Sequence, residues 1–160
     1  MLVEKGCALS HIFLRSYGRR SNVKNSMKVY VADRDLKGAQ ALAEELNTGD
    51  QVVWAVEADV TNWDSQRKAW EAAETDFKRI DYVFPIAGIG ERRAFPNRPN
   101  STGYEKPDLS VLEVDCIGVV YTIGLAVEHF RRQQPNKYGF KGKSKFIICK
   151  IPAHDSNRYF

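Results

Sequence analysis

The sequence predicts an α/β fold built on a doubly wound parallel sheet, and three observations predict it. Strand and helix signals alternate from Lys28 to Phe77. Strands joined by single helices imply parallel crossovers. The chain has 160 residues, 43% hydrophobic and 28% charged, which is enough for one buried core and typical of a folded domain.

Each element follows from its pattern. Lys28–Asp33, read Lys-Val-Tyr-Val-Ala-Asp, is a short β-rich run. Asp35 then caps a helix in which Leu36, Ala39, Leu42, Ala43 and Leu46 recur at helical spacing, and Asn47-Thr-Gly49-Asp50 ends it. A second strand covers Gln51–Val56. Thr61 or Asn62 starts the next helix, with Trp63, Trp70, Ala73 and Phe77 on one stripe, and Tyr82–Ile86 is a third strand. Arg92–Pro107 is rich in Pro, Asn, Arg and Ser and reads as a surface loop beyond a strand's carboxyl end, where binding sites gather. A long helix from Asp108 to Arg132 is apolar around most of its girth, so one side faces the sheet and the other needs a second partner. Gln133–Ser144 is a basic loop, and Lys145–Cys149 is a fourth strand stopped by Pro152.

Composition excludes several classes. The longest near-apolar run, Cys116–Val127, spans 12 residues against the roughly 20 that cross a bilayer, so no membrane association is expected. Three cysteines without paired spacing, and His11, His129 and His154 standing apart, argue against a disulfide framework and a metal site and for a reducing compartment. The net charge of +4 is uneven: residues 1–27 carry +4, residues 28–130 carry −7 and residues 131–160 carry +7. Neither basic end has the aromatic and Arg interleaving that base stacking uses, so no nucleic-acid partner is expected.

In an open parallel sheet the ligand lies beyond the carboxyl ends of the strands. Asp33 and Asp59 both fall there. An acid at the end of the second strand of a dinucleotide fold accepts from the adenosine ribose and repels a 2′-phosphate; the competing role for Asp33, capping the next helix, suits Asp35 better by position.

These residues together resemble the short-chain dehydrogenase/reductase family, which has a Rossmann-type sheet. Lys28–Arg34 is similar to its second strand, Ala58-Asp59-Val60-Thr61 to its adenine-pocket motif, Ile80–Gly88 to its Asn-Asn-Ala-Gly strand, and Glu113-Val-Asp115-Cys-Ile-Gly118 to the long helix that carries a structural Asn. Within the family, Ala87-Gly-Ile-Gly-Glu-Arg-Arg93 and Val119-Val-Tyr-Thr122 resemble NAD-dependent 15-hydroxyprostaglandin dehydrogenases. The resemblance implies that Asp33 holds the ribose and favours NAD over NADP, while Arg34 beside it tolerates a phosphate and moderates that preference. It implies that Asp59 accepts from the adenine amino group, that the Val60 N–H meets a ring nitrogen, and that Ala87 and Gly88 let the backbone approach the cofactor.

The departures are as informative. The family's Thr-Gly-x-x-x-Gly-x-Gly turn, which wraps a pyrophosphate with backbone N–H groups, does not occur before Lys28. Lys150, Ile151 and Pro152 stand where the family's Ser belongs, and no Tyr-x-x-x-Lys follows, so no residue here takes a catalytic role. Asp115 replaces the helix Asn, and Pro85 and Ile86 replace the strand's Asn pair, which implies lost polar contacts.

The expectation is therefore an incomplete Rossmann-type sheet over residues 28–149, preceded by a basic, non-family segment 1–27 and followed by an off-pattern tail 150–160. The gap left by the family's first strand has Ala8–Leu14 as a candidate surrogate, although the stretch up to Lys28 is near the lower bound of about 10–12 residues for a right-handed crossover. Function is expected to be weak dinucleotide binding by a catalytically incomplete fragment, or a pseudoenzyme that dimerises with an intact homologue through the 108–132 helix. A cytoplasmic location is expected; the acid-poor, Arg- and Ser-containing amino terminus leaves a mitochondrial presequence open.

Overall fold

The computed structural model describes residues 11–16, 27–90, 100 and 102–145, the first of these segments by its backbone. Strands β1 (His11–Ser16), β2 (Met27–Asp33), β3 (Val53–Glu57), β4 (Tyr82–Pro85) and β5 (Lys143–Ser144) form one sheet in the order β3-β2-β1-β4-β5. Parallel pairing joins β2 to β3 and β4 to β5. β1 lies between β2 and β4 and runs antiparallel to both, with His11 opposite Ala32 on one side and Pro85 on the other. Four strands thus share one direction and the central strand is reversed.

The gap is filled, but not as the sequence suggested. The described strand, His11–Ser16, shares residues 11–14 with the expected Ala8–Leu14, of which 8–10 lie outside the described residues, and it is antiparallel rather than parallel. Ser16 pairs with Met27, so residues 17–26 separate the paired ends of β1 and β2 in sequence. A parallel strand would need a crossover of a dozen or more residues, and this connection is shorter. The other differences are in boundaries. The fourth predicted strand begins two residues early, at Lys143; the Lys145 N–H still donates to the Val83 carbonyl at 3.0 Å, and 146–149 lie outside the described residues, as does the 150–160 tail.

Helices α1 (Leu36–Leu46), α2 (Trp63–Phe77) and α3 (Ser110–Arg132) cover the sheet. The alternation of β2 assigns the faces. Val29 and Val31 pack with Ala39, Ala43 and Val53 beside α1, whereas Tyr30 and Ala32 join Trp70, Ala73, Phe77, Val83, Leu125 and Ala126 beside α2 and α3. Tyr30, Trp54 and Phe77 make the densest knot: Phe77 meets both rings edge-on, at 5.4 and 5.2 Å between centroids. The Tyr30 hydroxyl donates to Asp76 at 3.0 Å, and burial, reinforced by that carboxylate, pushes its pKa up to about 12.

Caps fix the helix ends. The Asp35 side chain accepts from the Gly38 N–H and that of Asn62 from the Ser65 N–H, which settles the second helix start on Asn62. Asn47, the first residue of the expected stop, closes α1: its Oδ1 accepts from the N–H groups of Val52 and Val53, both at 2.9 Å, tying the helix end to the start of β3.

α3 is continuous, with a π-helical stretch at Glu113–Gly118. Its 23 residues are long and apolar enough, by length and composition, to cross a membrane, a property the 12-residue run concealed. In this fold it is a layer helix, because Gly118, Thr122, Leu125, Ala126 and His129 form a buried stripe against the rest of the domain. The opposite side carries Leu112, Ile117, Val120 and Val127, with Val120 at 62% exposure, while Ile123 is half-buried.

The far end of α3 is tied down by Gln133. Its Nε2 donates to the carbonyls of Ile80, at 2.8 Å, and Lys141, and its Oε1 accepts from the Ile80 N–H at 3.1 Å. That orientation turns Oε1 toward His129 Nε2, 3.0 Å away, so Nε2 carries the proton. His129 Nδ1 is buried 3.5 Å from the Glu74 carboxylate. Burial holds the imidazole below its ordinary pKa of 6.5; Glu74 and Gln133 pull upward, and Arg132 and Arg79 add to the lowering. A histidine whose folded pKa is depressed takes up its proton more readily in the unfolded chain, so its stability contribution is present above the unfolded pKa and is lost as pH falls. The melting temperature is expected to drop from about pH 7.5 to about 5.5, and His129→Phe to flatten that slope. Thermal melts across the range, with equal slopes for both chains, would assign the acid sensitivity elsewhere.

Candidate functional site

The four like-directed strands place the ends of β2, β3 and β4 along one edge, and the loops that follow carry most of the residues singled out in the sequence. Asp33 is the last residue of β2. It is only 4% exposed, and its Oδ1 accepts from the Asp35 N–H at 2.8 Å while its carbonyl accepts from the Ala58 N–H at 2.9 Å. It therefore organises the start of α1 locally, although Asp35 is the helix cap. Arg34 beside it is exposed.

The Asp33–Ala58 bond brings the second acidic loop alongside. Asp59 is half-buried; its Oδ1 accepts from the N–H and hydroxyl of Thr61, at 2.9 and 2.7 Å, and its own N–H donates to Ser65 Oγ at 3.0 Å. These bonds hold a tight turn in which the Val60 side chain is buried. The Val60 N–H has no acceptor among the described residues.

Val60 is gripped from below by α3. A Cβ on Gly118 would stand 3.0 Å from Val60 Cβ, Cγ2 and carbonyl oxygen, so the approach of helix to turn depends on glycine. Gln66, 4% exposed, completes the grip: its Nε2 donates to the carbonyls of Val60 at 2.7 Å and Gly118 at 3.0 Å. Sequence reading missed Gln66. The signal was present, since Gln66 is three residues after Trp63 and four before Trp70 and so shares their stripe. Trp63, assigned to the buried stripe, is instead 40% exposed and rests edge-on against Tyr121.

The loop after β4 holds Ala87, half-buried, and Gly88, exposed. Within the protein nothing demands glycine at 88, where the nearest atom to an added Cβ would be Asp115 Oδ1 at 3.7 Å. Asp115, expected to have forfeited a polar contact, keeps one, as its Oδ1 accepts from the Ile89 N–H at 3.0 Å. A carboxylate preserves the acceptor of an Asn and gives up only the amide donor. Ile86, in the place of an Asn, packs into the apolar cluster under α1.

This edge gathers an acid at the end of β2, an acid and an open N–H after β3, and small residues after β4. At the sheet position where a glycine-rich turn would leave a strand, the reversed β1 brings its first residue, His11, to the edge. A sequence model of the short chain dehydrogenase family matches residues 20–137. The chain belongs to that family. It is 30% identical over 88 residues to the short-chain dehydrogenase/reductase prx7 of Penicillium rubens, covering 51% of this chain and 31% of that protein. Among solved structures, 3-ketoacyl-(acyl-carrier-protein) reductase of Brucella melitensis, complexed with NADH, is similar at 29% identity and a TM-score of 0.52, over 64% of this chain and 39% of that one. A short chain dehydrogenase/reductase of Burkholderia phymatum in complex with NAD shares the fold, with a TM-score of 0.53 and 22% identity over 63% of this chain and 34% of that one. An alcohol dehydrogenase of Thermococcus sibiricus, complexed with 5-hydroxy-NADP, does so too, at 0.52 and 22% over 64% and 42%. The chain thus spans less than half the length of each of these relatives.

The close approach of α3 to the Val60 turn generates a prediction. Gly118→Ala is expected to destabilise the fold by about 1–3 kcal/mol through overpacking against the Val60 side chain and carbonyl. Gly49→Ala, with nothing within 4 Å of the new Cβ, should stay within about 0.5 kcal/mol of the parent. Urea denaturation of both variants checks the difference, and a neutral Gly118→Ala would mean the helix yields freely.

Proposed function

We propose that this chain is a weak nicotinamide-dinucleotide-binding member of its family that engages the adenosine half of the cofactor, prefers NAD to NADP and carries no oxidoreductase turnover of its own. The observation that carries the reading is the pairing of the Asp33 and Asp59 loops at one edge through the Ala58–Asp33 backbone bond. Asp33 would meet the ribose, Asp59 the adenine amino group and the Val60 N–H a ring nitrogen, with Ala87 and Gly88 giving the rest of the cofactor room. The NADH, NAD and 5-hydroxy-NADP complexes of the solved relatives support the cofactor class. The likeness of 87–93 and 119–122 to NAD-dependent 15-hydroxyprostaglandin dehydrogenases supports NAD. Binding is weak for two reasons. No helix N-terminus meets the pyrophosphate among the described residues, and Asp33 at 4% exposure must be uncovered before a ribose reaches it. Turnover is absent because the 160 residues hold no Tyr-x-x-x-Lys to move the proton that accompanies hydride transfer.

Calorimetric titration tests this. NAD should bind more tightly than NADP, and Asp33→Ala should narrow the gap by removing the charge that repels a 2′-phosphate. The same preparation should show no NAD-dependent oxidation of a secondary alcohol. Tighter NADP binding by the parent chain would remove Asp33 from the ribose, and measurable turnover would overturn the non-catalytic assignment.

A second reading, a non-catalytic subunit that associates with an intact homologue or with itself, is favoured by the outer side of α3. Leu112, Ile117, Val120 and Val127 leave apolar surface along one helix, the kind of patch that soluble monomers seldom leave open over more than a few hundred Å². Sedimentation at micromolar concentration should give a dimer or larger species, and Val120→Glu with Val127→Glu should shift it toward monomer. A monodisperse monomer for the parent chain would reject association through this face.

A further inference from the structure

Both donors of the Gln66 amide and its oxygen are engaged inside the protein. Nε2 donates to the Val60 and Gly118 carbonyls, and Oε1 lies 2.9 Å from the Thr122 hydroxyl oxygen. Thr122 Oγ1 is also 2.9 Å from the Gly118 carbonyl, but a hydroxyl has one proton. Gly118 already receives a donor from Gln66, whereas Oε1 has no other donor among the described residues, so the Thr122 proton goes to Oε1. Turning the amide over would set its oxygen against two carbonyls, so the orientation is unique. Gln66 is 4% and Thr122 0% exposed, and water does not substitute for any of these partners.

The bridge has a consequence at the edge. Val60 is fixed by its carbonyl to Gln66 and by its side chain to Gly118, and its N–H is left without an acceptor among the described residues. We propose that Gln66, held by Thr122, is a positioning residue that aims the Val60 N–H at a purine ring nitrogen and thereby makes this edge selective for adenine over a 6-oxopurine. The inference rests on the adenosine reading above and adds the residues that decide base selectivity. Adenine offers a bare N1 to the Val60 N–H and an amino group to Asp59. A 6-oxopurine presents an N1–H to that N–H and a carbonyl oxygen to that carboxylate, so both contacts turn repulsive. Selectivity of this kind requires the N–H to hold its direction, because a turn free to rotate would accept either base through water. Gln66 acts only through Val60 and touches no ligand itself.

Titration of the full chain with AMP and with IMP, followed by NMR on the Val60 amide, tests the assignment. The parent should favour AMP by about tenfold, and Gln66→Leu should bring the ratio to within about twofold. Should Gln66→Leu fail to fold, Thr122→Val carries the test: it withdraws the donor from Oε1 at nearly constant volume and should also erode the ratio, while Thr122→Ser restores it. Equal binding of AMP and IMP by the parent would overturn the adenosine reading and this assignment with it. A preserved ratio in folded Gln66→Leu and Thr122→Val would overturn the role of Gln66 alone and leave the adenosine reading standing.

Discussion

Backbone hydrogen bonding in the middle of the sheet is the constraint on which the rest of this structure depends. β2 and β4 face each other across a strand's width, and each has an inner edge of N–H and C=O groups that would be costly to bury unpaired. β1 satisfies both edges at once and makes one sheet from what would otherwise be a β2–β3 unit and a β4–β5 unit. Only then can Tyr30 and Ala32 from one side share a cluster with Val83 from the other.

The direction of β1 decides which of its ends reaches the edge that carries Asp33 and Asp59. A parallel strand would deliver its carboxyl end to the ligand edge and allow a glycine turn and a helix N-terminus to follow. The antiparallel strand delivers its amino end. Under the proposed adenosine reading, β2 and β3 supply the groups that would meet adenine and ribose, while no helix N-terminus follows β1 at the centre among the described residues.

α3 is the common support of what remains. Its π-helical stretch carries Asp115 to Ile89 on one loop and brings Gly118 under Val60 on another, and Gln66 locks the second contact. Its other end is held by Gln133 against Ile80 and Lys141. The outward face keeps its apolar residues, because the sheet and α2 can cover only one side of a helix.

The alternation of strand and helix, the caps at Asp35 and Asn62, the order of β2, β3 and β4 and the positions of Asp33, Asp59 and Val60 were all legible in the sequence. Each is a local matter, fixed by side-chain period or by a cap within four residues. Four things were decided by tertiary structure. The direction of β1 depends on which edges stand open on either side of it, and local pattern carries no sign of parallel or antiparallel pairing. The burial of Asp33 depends on what lies over the edge. The contact kept by Asp115 depends on a loop 26 positions away. Gln66 reads as a polar interruption of an apolar stripe until the carbonyls of Val60 and Gly118 are brought within reach of its amide. Sequence thus determined the elements and the chemistry they carry to one edge, and the packing of distant segments determined which of those groups remain available, because hydrogen-bond satisfaction in a buried interior is settled only when every partner is in place.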